Sequence, residues 1–363
     1  MKVLFLEPYP TEGPSSRYRV EQYVPYFEKN GITCAVRPFV SSRFYRILYK
    51  RGHYLKKIYF FMQGMVKRIF DIFTGLGSDI IFIHLEALPI GPPVIEWIFA
   101  AAGKKIIYDL DDAIYMRQAS SANRMVKFLK FPSKVKTILK MSNHIITCNE
   151  YLGEFAGKFN PNVTVISTSV DTGKFFPVKK TASSGNVTIG WIGSYSTAPY
   201  LGLIKDVLLE VGEKHPFTLK IIGAGDYDIG ITSAHIKVLN LAWELDSEIG
   251  QFQSLDIGLY PLPNDKWVLG KTGFKTMQYM SVGVPCVVSK VGRNEEIVKD
   301  GVNGFSAGSK KEWVDKISLL ISNPDLRQKM GEEGRKTAEE RFSVKANAPR
   351  YLEIFSKFKQ TGL

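Results

Sequence analysis

Two hydrophobic rhythms alternate along the chain. Short continuous apolar runs, VLFL at 3–6, ITCAV at 32–36, DIIFIH at 79–84, KIIYDL at 105–110, HIITC at 144–148 and VTVIS at 163–167, are separated by stretches with helical patterns. Such runs predict strands buried on both faces, and the helical stretches predict crossovers, so the first half reads as a parallel sheet covered by helices. The polar, small-residue stretch PVKKTASSGN at 177–186 breaks the pattern, which restarts with VTIGWIG at 187–193, FTLKIIG at 217–223, IKVLNL at 236–241, DIGLYPL at 256–262 and PCVVS at 285–289. Tyr351, Ile354, Phe355 and Phe358 then mark a terminal amphipathic helix. The expected architecture is α/β: two doubly wound Rossmann-like domains at 1–178 and 179–345, with a helix at 346–363 packing back on the first. In open parallel sheets ligands collect beyond the carboxyl ends of the strands, so two such sheets facing each other would define a central cleft.

Composition narrows this picture. An apolar content of 45% over 363 residues suffices for two cores. No run of 18 or more apolar residues predicts a membrane span, and the opening MKVLFLEPYP lacks the length of a secretory signal. Three widely spaced cysteines, Cys34, Cys148 and Cys286, suit buried thiols in a reducing compartment, so a cytoplasmic location is expected. The net charge of +13 is uneven: segments 41–70 and 117–140 hold 15 Lys and Arg and no acid. Aromatic and aliphatic residues lie between those cations, among them Phe44, Tyr45, Tyr54, Tyr59 and Phe60, which favours an anionic membrane surface over a merely solvated face. No nucleic-acid motif is present, so nucleic acid is not an expected partner.

Chemistry is expected in the loops after strands. EPYPTEGPSSRYRV brings Gly13, Ser16, Arg17 and Arg19 to the start of a helix, where amides and guanidinium groups suit a phosphate or an acceptor anion; capping by Ser15 or Ser16 is the plain structural alternative. In YDLDDAIY, Asp109 and Asp111 share a side and Asp112 begins the loop, a cluster of carboxylates that asks for a cationic or hydroxyl-bearing ligand. His84 ends its strand and reads as a satisfied, partly buried supporting histidine. No spacing of His and Cys predicts a metal site. In the second half, Gly193 and Ser194 in GWIGSYSTAP and Gly223 in IIGAGD form small-residue turns that admit a phosphate. GKTGFKTMQYM places Lys271, Gly273 and Lys275 at a helix N-terminus, where cations oppose the helix dipole unless an anion such as a diphosphate joins them.

KTGFKTMQYMSVGVPCVVSKVGRNEEIVKDGVNGF resembles the donor-site signature of the retaining, two-domain GT-B glycosyltransferases of family 4, and GPSSRYRV, VISTSVDTGKFFP and NPDLRQKMGEEGRKTAEERFS extend the resemblance over nearly the whole chain. The resemblance implies sugar transfer from a nucleotide-diphosphate donor, UDP-sugar first, with retention and without metal or cofactor, onto a lipid-linked or polysaccharide acceptor. It implies donor-binding roles for Phe274, Gln278, Trp243 and Glu296, with Lys271 and Lys275 replacing the family's phosphate-binding cations and Asp111 at the position of its histidine. Of the family's two glutamates eight positions apart, this chain has Gly270 and Gln278. Alternative readings are a metal-dependent enzyme using Asp109 and Asp111 as Asp-x-Asp, or a non-catalytic basic protein binding membrane or nucleic acid.

Overall fold

The structure, a computed structural model, describes residues 1–50, 52–116, 131–179 and 186–359. Arg51 and the cations Arg117, Arg124, Lys127 and Lys130 of the predicted basic face lie outside the described residues, as do positions 180–185 of the polar stretch. The chain divides into two compact units, Met1–Thr168 with Asn347–Leu363, and Ser169–Ala346.

The first unit is a parallel sheet of β1 (Lys2–Glu7), β2 (Thr33–Pro38), β3 (Ile80–His84), β4 (Lys105–Leu110), β5 (His144–Thr147) and β6 (Val163–Val165), in the order β2-β1-β3-β4-β5-β6. The second holds β7 (Val187–Ile192), β8 (Phe217–Ile222), β9 (Ile236–Leu241), β10 (Ile257–Tyr260), β11 (Cys286–Ser289) and β12 (Phe305–Ala307), ordered β12-β11-β10-β7-β8-β9. Eleven of these strands coincide with the apolar runs, because central parallel strands are buried on both faces and must be continuously apolar. β12 has only three residues, FSA, too short to signal itself in the sequence. The chain leaves the sheet in opposite directions from β1 and β3 in one unit and from β7 and β10 in the other, and these switch points open the crevices where such folds bind ligands.

In the first unit the terminal helix Val344–Ser356 contributes Tyr351 and Phe355, whose rings pack on Tyr23, Phe27 and Phe5. Arg68 and Lys134, counted in sequence among surface cations, are buried instead. Arg68 donates to the carbonyls of Glu7, Arg37 and Ala87 and to Asp71, stapling the ends of β1 and β2 to the segment after β3. Lys134 pairs with Glu86 at 2.8 Å and donates to the Leu88 carbonyl.

In the second unit the helix Phe274–Ser281 is pinned by Tyr279. The phenolic oxygen accepts from the Ile192 amide and lies 3.3 Å from the Gly190 carbonyl and 3.2 Å from that of Leu259. It fills the place where the ladder between β7 and β10 has ended at Gly190 and Gly258. Burial pushes its ionisation far above the ordinary phenol range, so it serves as a neutral hydroxyl. Tyr279→Phe is expected to cost about 1–2 kcal/mol of unfolding free energy in urea titration, since a buried strand amide is left without its acceptor; an unchanged midpoint would show that this pin carries no stability.

Candidate functional site

At the switch point of the first unit, the side chains named from sequence form one hydrogen-bonded chain. Arg19, from the helix Pro14–Arg19, is 1% exposed and grips Asp109 through both Nη2 and Nε. Its Nη1 donates to the Ile166 carbonyl at 2.8 Å. Asp109 Oδ2 lies 2.7 Å from His84 Nδ1, and His84 Nε2 lies 2.7 Å from Ser15 Oγ. Ser15 in turn donates to Asp111 Oδ2 at 2.8 Å. Burial works to raise the Asp109 carboxyl, but Arg19 and the hydrogen bond from His84 overcome it and hold it below the usual carboxylate range.

The proton count in this chain is restrictive. Ser15 has one proton, and when it goes to Asp111 the serine cannot also donate to His84. Ser15, His84 and Asp109 stand in the order of a nucleophile, its base and an orienting acid, but the serine hydroxyl donates to Asp111. Asp111 Oδ1 is buried, has no hydrogen-bond partner among the described residues, and lies 3.9 Å from His84 Nε2. A buried carboxylate oxygen without a donor is a place for a ligand hydroxyl. Next to His84, Leu85 holds φ at 58°, the left-handed region that an L side chain occupies only under strain, and its carbonyl accepts from the buried Tyr108 hydroxyl at 2.7 Å.

Other residues expected at this loop have different partners. Ser16 is fully buried and accepts from the Tyr9 amide, and Arg17 donates to the Thr11 carbonyl while its guanidinium lies 4.6 Å from the Tyr18 ring. Gly13 caps the helix without a side-chain bond. Arg19 is committed to Asp109, so it positions carboxylates from within and does not present its charge to a ligand. Asp112 accepts from the Ala113 amide. Ser15, offered in sequence only as a cap, is the link no pattern revealed: its partner His84 is 69 positions away.

The second unit gathers its own cluster. Gly273 caps the helix Phe274–Ser281 at φ 69° with no side-chain bond, and a Cβ there would lie 2.4 Å from Ile297 Cδ1. The loops after β7, β8 and β9 meet where a Cβ on Gly223 would come 2.2 Å from the Gly193 carbonyl oxygen and 3.1 Å from Trp243 Cβ. Trp243 donates to Glu248 at 3.3 Å. Ser194 Oγ is 2.9 Å from Ser196 Oγ. Gln278 is buried, Phe274 is half-buried, and Glu296 is exposed with its carboxylate 3.8 Å from Arg293.

Lys275 is the outlying charge of this cluster. It is half-buried, its ammonium 5.6 Å from the Tyr260 ring, and Lys271 lies 5.1 Å from the Trp267 ring. Burial and the neighbouring Lys271 lower its pKa to about 8, against the opposing pull of Glu248. Glu248, Tyr260 and Arg293 carry no motif and were not expected in the site. Among the described residues no cluster of His, Cys, Asp and Glu could hold a metal ion.

The two parallel six-stranded sheets with alternating helices, which the apolar runs predict, form the GT-B architecture that the resemblance implies. Residues 254–337, which include both lysines, match the family model described as Glycosyl transferases group 1. The fold resembles a glycosyltransferase of Rickettsia africae ESF-5, with 14% identity, 99% of both chains covered and a TM-score of 0.69. It also resembles Anabaena Alr3699/HepE in complex with UDP and glucose, with 17% identity, 98% of this chain and 100% of that chain covered and a TM-score of 0.64. Spore coat protein SA of Bacillus subtilis (strain 168) is 23% identical over 186 residues, which is 48% of this chain and 49% of that protein, so the match spans about half the relative's length.

The Lys275 charge should be visible in stability. Below about pH 8 the folded chain carries the full penalty of a charged, half-buried ammonium. Between about pH 8 and 10.5 the unfolded chain keeps a proton that the folded one has lost, so stability rises with pH there and the penalty is gone above it. Lys275→Met is therefore expected to stabilise the ligand-free protein at pH 7 by about 1–3 kcal/mol, an advantage shrinking to zero by high pH. Urea unfolding at several pH values measures it; a destabilised variant would contradict the reading.

Proposed function

We propose that the protein is a retaining, metal-independent glycosyltransferase of the family 4 type. It moves a sugar from a nucleoside diphosphate, uridine first, to a glycolipid or polysaccharide acceptor at the cytoplasmic face of a membrane. The observation that carries this reading is Lys275: an ammonium kept half-buried beside Lys271, at a helix N-terminus that Gly273 caps without a side chain. A diphosphate relieves all three penalties at once. The group 1 match over 254–337 and the UDP and glucose held by the similar Anabaena protein support the same donor class.

In this reading the second unit holds the donor. As the bond from the sugar to the β-phosphate breaks, negative charge grows on the departing oxygen, and Lys271 and Lys275 stabilise it. The acceptor oxygen bonds to the anomeric carbon on the leaving-group side, and its proton passes to the departing phosphate, so no separate base is needed. Asp111, with Oδ1 open, and Asp112 orient ligand hydroxyls, while Asp109, Arg19, His84 and Ser15 set the direction of Asp111. Both oxygens of Asp109 are engaged by Arg19 and His84, which disfavours Asp109 as a metal ligand in an Asp-x-Asp arrangement.

Steady-state transfer from UDP-sugars tests this. Asp111→Asn is expected to lower turnover by roughly one to three orders of magnitude with donor affinity little changed, because it deletes charge and keeps shape. A chelator should change neither. Loss of nucleotide binding in Asp111→Asn, with wild-type activity following added manganese, would make the carboxylates metal ligands and overturn the mechanism.

A further inference from the structure

The helix Tyr54–Leu76 is inside out. Its inward face carries Gly64, Arg68, Asp71 and Gly75, all buried, with Arg68 only 1% exposed. Its outward face carries Leu55, Ile58, Met62, Val66, Phe70 and Phe73, with Leu55 84% and Phe73 68% exposed. At about 100° per residue these six fall within about 120° of the circumference, directly opposite the buried set, along a stripe roughly 30 Å long. Soluble helices put such a stripe on the core; here the sheet side is occupied by the Arg68 staple, which leaves the stripe facing out. Charged residues along the helix forbid a transmembrane reading, and among the described residues no helix is long and apolar enough to cross a membrane.

Electrostatics says what covers the stripe. Lys56 and Lys67 lie along one edge of it, and residues 41–70 contain no acid. Against the start of this helix, the helix Ser42–Leu48 forms an open groove of about 760 Å³ lined by Arg43, Arg46 and Lys56, with apolar walls from Ile47, Tyr59 and Phe60. Cations over an apolar wall, continuous with an exposed apolar stripe, match an amphiphile whose anionic head joins hydrocarbon chains. A second copy of the same face would set Lys56, Lys67, Arg43 and Arg46 against their own counterparts, and like charges disfavour that pairing.

We infer that the helix Tyr54–Leu76 lies in the plane of an anionic bilayer with its stripe among the acyl chains, and that the Arg43, Arg46 and Lys56 pocket holds a lipid phosphate headgroup. This deepens the membrane location proposed above and rests on it.

The test is partition of the full chain, without donor sugar, onto vesicles of phosphatidylcholine alone or mixed with phosphatidylglycerol. Preference for the anionic vesicles is expected to be about tenfold or more at low salt. Ile58→Ser with Phe70→Ser should weaken binding to both vesicle types by about tenfold or more, since buried apolar area is lost. Arg43→Ser with Arg46→Ser should abolish the anionic preference and keep the residual binding to neutral vesicles. Soluble glycerol phosphate at millimolar concentration should not displace the protein. All these positions are exposed or half-buried on the surface, so unfolding midpoints should stay close to wild type. Equal or absent vesicle binding, displacement by glycerol phosphate, or a dimer that the Ile58→Ser, Phe70→Ser variant dissolves would each overturn the inference. A thermal shift with UDP run alongside keeps the two readings apart: a shift without vesicle binding removes the docking surface alone, and vesicle binding without a shift removes the donor chemistry alone.

Discussion

A charged ammonium held half out of water, next to a second one and at the positive end of a helix, is the constraint around which the C-terminal unit is built. Burial, like charge and the helix dipole all oppose it, and the fold nevertheless keeps it there by fixing the helix from behind. Tyr279 plugs the end of the ladder between β7 and β10, and the tight approach of Gly273 to Ile297 sets the angle at which the helix begins. The same switch point sets Gly193 against Gly223 and Trp243, so backbone without side chains lines the neighbouring loops. The placing of the Lys275 ammonium lowers the stability of the empty site and raises what an anionic ligand can return.

The N-terminal unit resolves its charges the opposite way. Its buried acid Asp109 is compensated internally by Arg19 and His84, and beside it Asp111 keeps an open oxygen. Arg68 does similar work at the edge of that sheet, satisfying three backbone carbonyls and Asp71. Its burial also turns the helix Tyr54–Leu76 over, exposing an apolar stripe. Polar satisfaction in the interior and an apolar exterior are thus two sides of one packing decision.

The sheets were legible because doubly buried parallel strands must be apolar throughout, and eleven runs announced themselves; β12, with three residues, could not. The lysine cluster was legible because Lys271, Gly273 and Lys275 are adjacent in sequence and their conflict with the helix dipole is local. Long-range pairings were not. Ser15 with His84, Arg19 with Asp109 and Glu248 near Lys275 join residues from different loops, and no spacing rule reaches across a sheet. The reading of 41–70 as a basic surface erred at Arg68 for a related reason: a cation inside an apolar helix is a staple when carbonyls converge on it.

The central claim is that the Lys275 charge waits for a diphosphate. Its side chain can be followed by heteronuclear NMR titration of labelled lysine, free and with saturating UDP. Alone, it should titrate near 8. With UDP bound, the phosphate charge should move the midpoint to about 10 or above, because an anion within a few ångströms favours the protonated ammonium. A midpoint that stays near its ligand-free value with the nucleotide bound would contradict the account.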